Sequence, residues 1–95
     1  MHVTFVKKIL ADGSPCRKCA DIEARLRASG LWTRIDAVAV ADERDAGSEG
    51  WALAHAFDVK LAPFFVVREG DAARVYTIYL QFLREVLEPA ASGAA

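Results

Sequence analysis

This 95-residue chain is poor in cysteine, proline and methionine, with two, three and one of each, and its formal net charge is only −1. Two cysteines cannot build a disulfide framework, so the fold must come from a hydrophobic core, which hydrophobic residues at 54% of the chain can supply. A chain so close to neutrality lacks the dense basic surface that nucleic-acid binding requires. We therefore expect a single globular domain with no nucleic-acid partner.

Long apolar runs are also absent. No stretch approaches the roughly 20 residues of a membrane-spanning helix. The apolar residues near the N-terminus are interrupted by Lys7 and Lys8, which leaves them too short for the core of a secretory signal. These absences predict no membrane partner and a cytoplasmic location, where thiols are kept reduced.

The hydrophobic pattern alternates between strand-like and helix-like segments. Clusters of β-branched and aromatic residues predict strands at residues 3–10, 34–41, 64–67 and 74–79. Helical spacing of apolar residues predicts helices at residues 16–29, 49–58 and 80–88. The order β-α-β-α-β-β-α indicates an α/β domain, with a βαβ unit followed by a hairpin that a helix closes. We assign the domain to residues 1–88 and expect residues 89–95 to form a disordered tail.

The sequence also predicts a cap for the second helix and a core-facing stripe on the last one. Ser48 precedes the second helix and is expected to cap it. The last helix places Leu80, Leu83 and Leu87 on one stripe, with Phe82 and Val86 beside it, so this stripe is expected to face the core.

The two cysteines form a Cys-x-x-Cys motif, Cys16 to Cys19, at the start of the first predicted helix. A disulfide that closes so short a loop constrains the unfolded chain little, so the spacing favours chemistry over structural cross-linking. A thiolate is the nucleophile in disulfide exchange, and the free amides at a helix N-terminus favour negative charge. Pro15 can begin the helix without losing a hydrogen bond, and Arg17 and Lys18 add positive charge. We expect these three residues to favour the thiolate form of Cys16.

Cys19 lies three residues after Cys16, which on a helix returns it to the same face within disulfide-bonding reach. We expect Cys16 to attack the disulfide of a partner protein and Cys19, the more buried, to resolve the mixed disulfide. The motif therefore predicts a thiol–disulfide oxidoreductase that exchanges electrons with protein disulfides and a separate reductant. Such an enzyme needs no cofactor, and we expect it to be a monomer.

Segment 14–19 (SPCRKC) beside a βαβ pattern resembles the redox motif of the thioredoxin and glutaredoxin superfamily. Residues 57–67 are similar to that family's approach to its cis-proline strand, and residues 69–71 to the following turn. The resemblance covers nearly the whole chain and implies a central mixed four-stranded sheet with helices on both faces. It also implies that Pro63 is cis and faces the cysteines, and that the backbone of Ala62 binds an extended partner chain.

The chain departs from the family's pattern near its cysteines. The residues between them are Arg-Lys, whereas thioredoxins have Gly-Pro and glutaredoxins Pro-Tyr. The strand before them carries Lys7 and Lys8 where thioredoxins keep a buried acid, so Asp12 in the loop is the candidate carboxylate for proton transfer to Cys19. The Gly-Gly-x-x-Asp pattern with which glutaredoxins hold glutathione does not follow the predicted hairpin.

Other interpretations stay open. The domain can be a non-enzymatic interaction module whose cysteines form a redox-sensitive latch or are idle. The cysteines can also form half of a zinc site shared by two chains, since His2 and His55 have no metal-ligand spacing within one chain. We expect no metal in the single chain. His55 is expected at the surface, and Trp51 and Phe57 in the core.

Overall fold

The computed structural model of the chain describes residues 1–88. The strands are β1 (His2–Ile9), β2 (Ala37–Asp42), β3 (Phe64–Glu69) and β4 (Ala72–Tyr76). The helices are α1 (Arg17–Ala28), α2 (Glu49–Ala56) and α3 (Tyr79–Phe82), with a 3-10 helix at Leu31–Arg34 and a π-helical turn at Leu83–Leu87. The predicted order is confirmed, and the predicted tail lies outside the described residues. Within residues 1–88, no helix combines the length and apolar character needed to cross a bilayer.

The strands form one mixed sheet in the order β2-β1-β3-β4. β1 and β2 are parallel, with Phe5 opposite Val38, because α1 carries the chain back between them. β1 and β3 are antiparallel, with Val6 opposite Phe64, and β3 turns into β4 at Gly70, whose φ is +57°. β1 is therefore an inner strand, and the chain leaving its carboxyl end carries both cysteines.

Helices cover both faces of this sheet, because the inner strands alternate apolar side chains between the two faces. On one face, α1 and α3 pack over a core formed by Val3, Phe5, Ile22, Leu26, Phe65, Val67, Tyr76, Phe82, Val86 and Leu87. On the other face, α2 packs over a smaller cluster formed by Val6, Ala39, Ala54, Phe64 and Val66. The predicted α/β class, with a mixed four-stranded sheet between helices, is confirmed.

Two local predictions hold only in part. β2 begins at Ala37 rather than residue 34, because residue 34 lies in the 3-10 helix Leu31–Arg34. Asp36 joins the segment after that helix to β1, since its carboxylate accepts the Val3 amide at 2.7 Å. Ser48 precedes α2 but makes no side-chain cap. Its hydroxyl instead accepts the amide of Asp42 at 3.0 Å and donates to the carbonyl of Asp45 at 2.8 Å, which closes the loop before the helix.

The predicted core stripe of the last helix is partly wrong. Leu80 is 58% exposed, whereas Phe82 is fully buried. The helix begins at Tyr79, and the π-helical turn that follows takes more residues per turn than an α-helix, so the buried face runs through residues 82, 86 and 87.

Candidate functional site

A tight loop after β1 delivers Cys16 to the start of α1. The amide of Leu10 donates to the carbonyl of Ser14 at 2.8 Å, and the Asp12 carboxylate accepts the amide and hydroxyl of Ser14 at 2.9 and 2.5 Å. The amide of Cys16 then donates to the carbonyl of Lys8 at 3.0 Å. The loop thus returns Cys16 to the carboxyl end of β1.

Cys16 is the N-cap residue of α1, and its sulfur accepts the amide N–H of Cys19 at 3.3 Å. The sulfur therefore occupies the place of a capping oxygen, at the positive end of the helix dipole. Both cysteines are free thiols; Cys16 is half-buried, and Cys19 is only 2% exposed. The structure brings the predicted pair together with the unequal exposure that the sequence indicated.

Burial changes the acidity of the second thiol. It raises the pKa of Cys19 to about 12, and the hydrogen bond with Cys16 adds to the increase. A charged sulfur removed from water loses its solvation, so the protonated form is favoured. Cys19 is therefore a thiol at neutral pH and cannot act as a nucleophile until its proton is taken.

The residues predicted to favour the thiolate of Cys16 surround it in sequence, and all three are exposed. Pro15 forms an isolated bridge with Ile9, the last residue of β1, which fixes the approach to the helix. Arg17 and Lys18 form no ion pair within residues 1–88. Their effect on the sulfur of Cys16 remains a prediction.

The peptide bond between Ala62 and Pro63 is cis, as the resemblance implied. Pro63 is buried, and Ala62 is half-buried. β3 begins directly afterwards at Phe64, which lies opposite Val6 of β1. The Ala62–Pro63 pair therefore lies where the antiparallel pairing ends, at the carboxyl end of β1.

The hydrogen bonds of β1 place Cys16 at the same corner. The carbonyl of Ile9 accepts the amide of Glu43, so it faces β2. Successive carbonyls of a strand point to opposite neighbours, so the carbonyl of Lys8, which holds Cys16, faces the β3 side. Cys16 and Pro63 therefore share the corner between the end of β1 and the start of β3.

A cavity of about 290 Å³ lies between α1 and β1, and Cys19 and Glu23 are among the residues that line it. The carboxylate of Glu23 lies 3.5 Å from the Lys7 ammonium and 3.1 Å from Nε of Arg27. Asp12, the carboxylate predicted for proton transfer, is not among the lining residues. Its hydrogen bonds with Ser14 lower its pKa and commit it to the loop.

Glu23 was not among the site residues predicted from the sequence. Its spacing to Arg27 is that of an i,i+4 ion pair on a helix surface, and the structure contains this pair. The signal that could have identified Glu23 is its position four residues after Cys19, which places both on one face of the helix.

The structure also places the remaining residues that the sequence brought into question, namely the possible metal ligands and His55, Trp51 and Phe57. Among residues 1–88, no three His, Cys, Asp or Glu side chains assemble as a metal site would require. His55 is exposed. Trp51 and Phe57 are half-buried against the α2 side of the sheet, and the indole N–H of Trp51 donates to the carbonyl of Asp42 at 2.7 Å.

The arrangement suits exchange between sulfurs. An accessible sulfur at a helix N-terminus can carry negative charge and attack a disulfide, and a buried thiol next to it can displace the product. A comparison of the chain with protein-family models, curated proteins and solved structures finds no match.

Proposed function

We propose that this protein is a thioredoxin-like thiol–disulfide oxidoreductase in which Cys16 and Cys19 alternate between a dithiol and a disulfide. The observation that carries the proposal is the sulfur of Cys16 at the N-terminus of α1, where it accepts the amide of Cys19 at 3.3 Å. Helix amides favour the thiolate, which is the form that attacks disulfides. Arg17 and Lys18 add positive charge at the same end of the helix.

The reaction takes two exchange steps. The thiolate of Cys16 attacks one sulfur of a partner disulfide, which forms a mixed disulfide and releases the other partner sulfur as a thiolate. Cys19 then loses its proton and attacks the sulfur of Cys16, and the second partner sulfur leaves. The partner has gained two electrons, and the enzyme holds a Cys16–Cys19 disulfide. An external dithiol returns it to the reduced form.

The fold around the cysteines supports the thioredoxin-like assignment. The mixed sheet between helices and the cis Ala62–Pro63 bond are the features that the sequence resemblance implied. An extended partner chain that pairs with the backbone of Ala62 would present its disulfide at the corner that Cys16 occupies. The proposed activity needs a reducing compartment such as the cytoplasm to regenerate the dithiol.

Reduction of insulin by dithiothreitol tests the proposal, because precipitation of the released chain reports turnover. The wild-type protein should accelerate precipitation, and Cys16→Ser should abolish the acceleration. In a separate reaction without dithiothreitol, pre-reduced Cys19→Ser should instead accumulate a mixed disulfide with insulin, detected by mass spectrometry, since neither Cys19 nor a free dithiol is present to resolve it. A wild-type protein that does not accelerate the reaction, together with a Cys19→Ser variant that forms no adduct, would contradict the proposal and favour the interaction module. Zinc retained by a purified dimer would favour the shared metal site.

A further inference from the structure

The cavity beside Cys19 brings a buried thiol and a carboxylate into one space. Cys19 and Glu23 both line it, and both lie on the same face of α1. Its volume of about 290 Å³ leaves room for water molecules with polar partners. A proton can therefore pass between these two groups through water.

Cations from two elements hold Glu23 in place. The ammonium of Lys7, on β1, lies 3.5 Å from one carboxylate oxygen, and Nε of Arg27, on α1, lies 3.1 Å from the other. The carboxylate is therefore fixed in position, and its side chain is only 22% exposed. The other ionisable groups that line the cavity, from these same two elements, are Cys19 and Lys8.

Resolution of a mixed disulfide requires Cys19 to lose its proton. Burial raises the pKa of this thiol to about 12, so very little of it is ionised at neutral pH. A positioned base that takes the proton while the new sulfur–sulfur bond forms avoids a free buried thiolate. Glu23 is the carboxylate that the structure supplies to this cavity.

We propose that Glu23 is the base of the resolving step and takes the proton of Cys19 through water in the cavity. This inference rests on the proposed oxidoreductase function. The bond between the sulfurs of Cys19 and Cys16 forms, the bond between Cys16 and the partner sulfur breaks, and the electron pair leaves on the partner sulfur. Glu23 then returns the proton to solvent, where the partner thiolate can take it up. Lys7 and Arg27 act as positioning residues for the carboxylate.

Glu23→Gln tests this step in rapid mixing of the reduced protein with one equivalent of dithiobis(nitrobenzoate). The first chromogenic thiolate reports the attack by Cys16, and the second reports the resolution by Cys19. The variant should keep the first phase, and its second phase should slow about 100-fold near neutral pH. Without the base, this second phase should also become proportional to hydroxide concentration, whereas in the wild-type protein it should be nearly independent of pH once Glu23 is ionised.

Glu43→Gln is the matched control, because Glu43 pairs with Lys8 at 3.1 Å but does not line the cavity. Both of its phases should match those of the wild-type protein. Glu23→Asp keeps a carboxylate and should restore a second phase that depends little on pH.

Three results would overturn the inference. A second phase in Glu23→Gln with the wild-type rate and pH dependence would show that the carboxylate takes no proton. An equal slowing in Glu43→Gln would show that loss of a surface ion pair is enough. A wild-type protein that releases no first thiolate would remove the proposed function together with this step.

Discussion

At the scale of the residue, position gives two identical side chains different environments. Cys16 caps α1 and is half-buried, so a partner sulfur can reach it. Cys19 lies one turn later among core residues, and burial raises the pKa of its thiol to about 12. The accessible sulfur is therefore suited to begin the exchange and the buried one to complete it.

The raised pKa of the Cys19 thiol also predicts how the stability of the reduced protein depends on pH. The ordinary pKa of the thiol is 9.0, and the folded value is about 12. Between these values the unfolded chain releases a proton that the folded protein keeps, so the stabilisation is complete below pH 9 and is lost as pH rises towards 12. Relative to Cys19→Ala, the free energy of unfolding of the wild-type protein should fall by about 1 kcal/mol between about pH 9 and pH 10. Urea denaturation at a series of pH values, with a phosphine reductant present, measures this free energy.

Cys16→Ser is the control for this measurement. It should keep most of the pH dependence, because burial is a larger cause of the altered pKa than the hydrogen bond with Cys16. Identical pH dependence in the wild-type protein and Cys19→Ala would show that Cys19 ionises normally in the folded state.

At the scale of the element, a glycine sets how closely α2 approaches the sheet. A Cβ atom built at Gly50 would overlap the backbone of Val40 and Ala41 in β2. Gly50 is buried although it lies in a helix, where alanine is intrinsically favoured over glycine. The glycine therefore serves the contact between α2 and β2.

Gly50→Ala should reduce the free energy of unfolding by about 3 kcal/mol or more, because backbone atoms cannot yield as a side chain can. Gly47→Ala is the matched control: its new Cβ would lie 3.4 Å from a carboxylate oxygen of Asp45, a contact close to ordinary van der Waals distance. That variant should stay within about 0.5 kcal/mol of the wild-type protein. Urea denaturation measures the free energy of unfolding of both variants. Equal values would show that α2 lies farther from the sheet than it does in the structure.

At the scale of the whole molecule, one aromatic stack joins the last helix to the sheet beneath α1. The rings of Phe65 and Phe82 lie 3.8 Å apart between centroids with 6° between their planes, and Phe5 lies 5.2 Å from Phe65. The same core contains Ile22 and Leu26 of α1, the helix that carries the cysteines. The position of the proposed redox site therefore depends on a core that the last helix completes.

Phe82→Ala should lower the free energy of unfolding by about 3–5 kcal/mol, because it leaves a cavity in this core. Leu80→Ala should change it by less than about 0.5 kcal/mol, since Leu80 is 58% exposed. Thermal or urea denaturation compares the two. A larger loss of free energy of unfolding in Leu80→Ala than in Phe82→Ala would instead support the core stripe that helical spacing predicted from the sequence.

Local sequence determined the order of the elements, the start of α1 at the cysteines and the grouping of Cys16 with Cys19. These features depend on residues within about one turn of each other, such as Pro15 directly before the N-cap residue Cys16, and Gly30, which follows α1 with a φ of +78°. Tertiary structure decided which carboxylate shares a cavity with Cys19 and which side of the last helix is buried. Those outcomes depend on surfaces contributed by segments far apart in the chain, and no local pattern specifies how such surfaces meet.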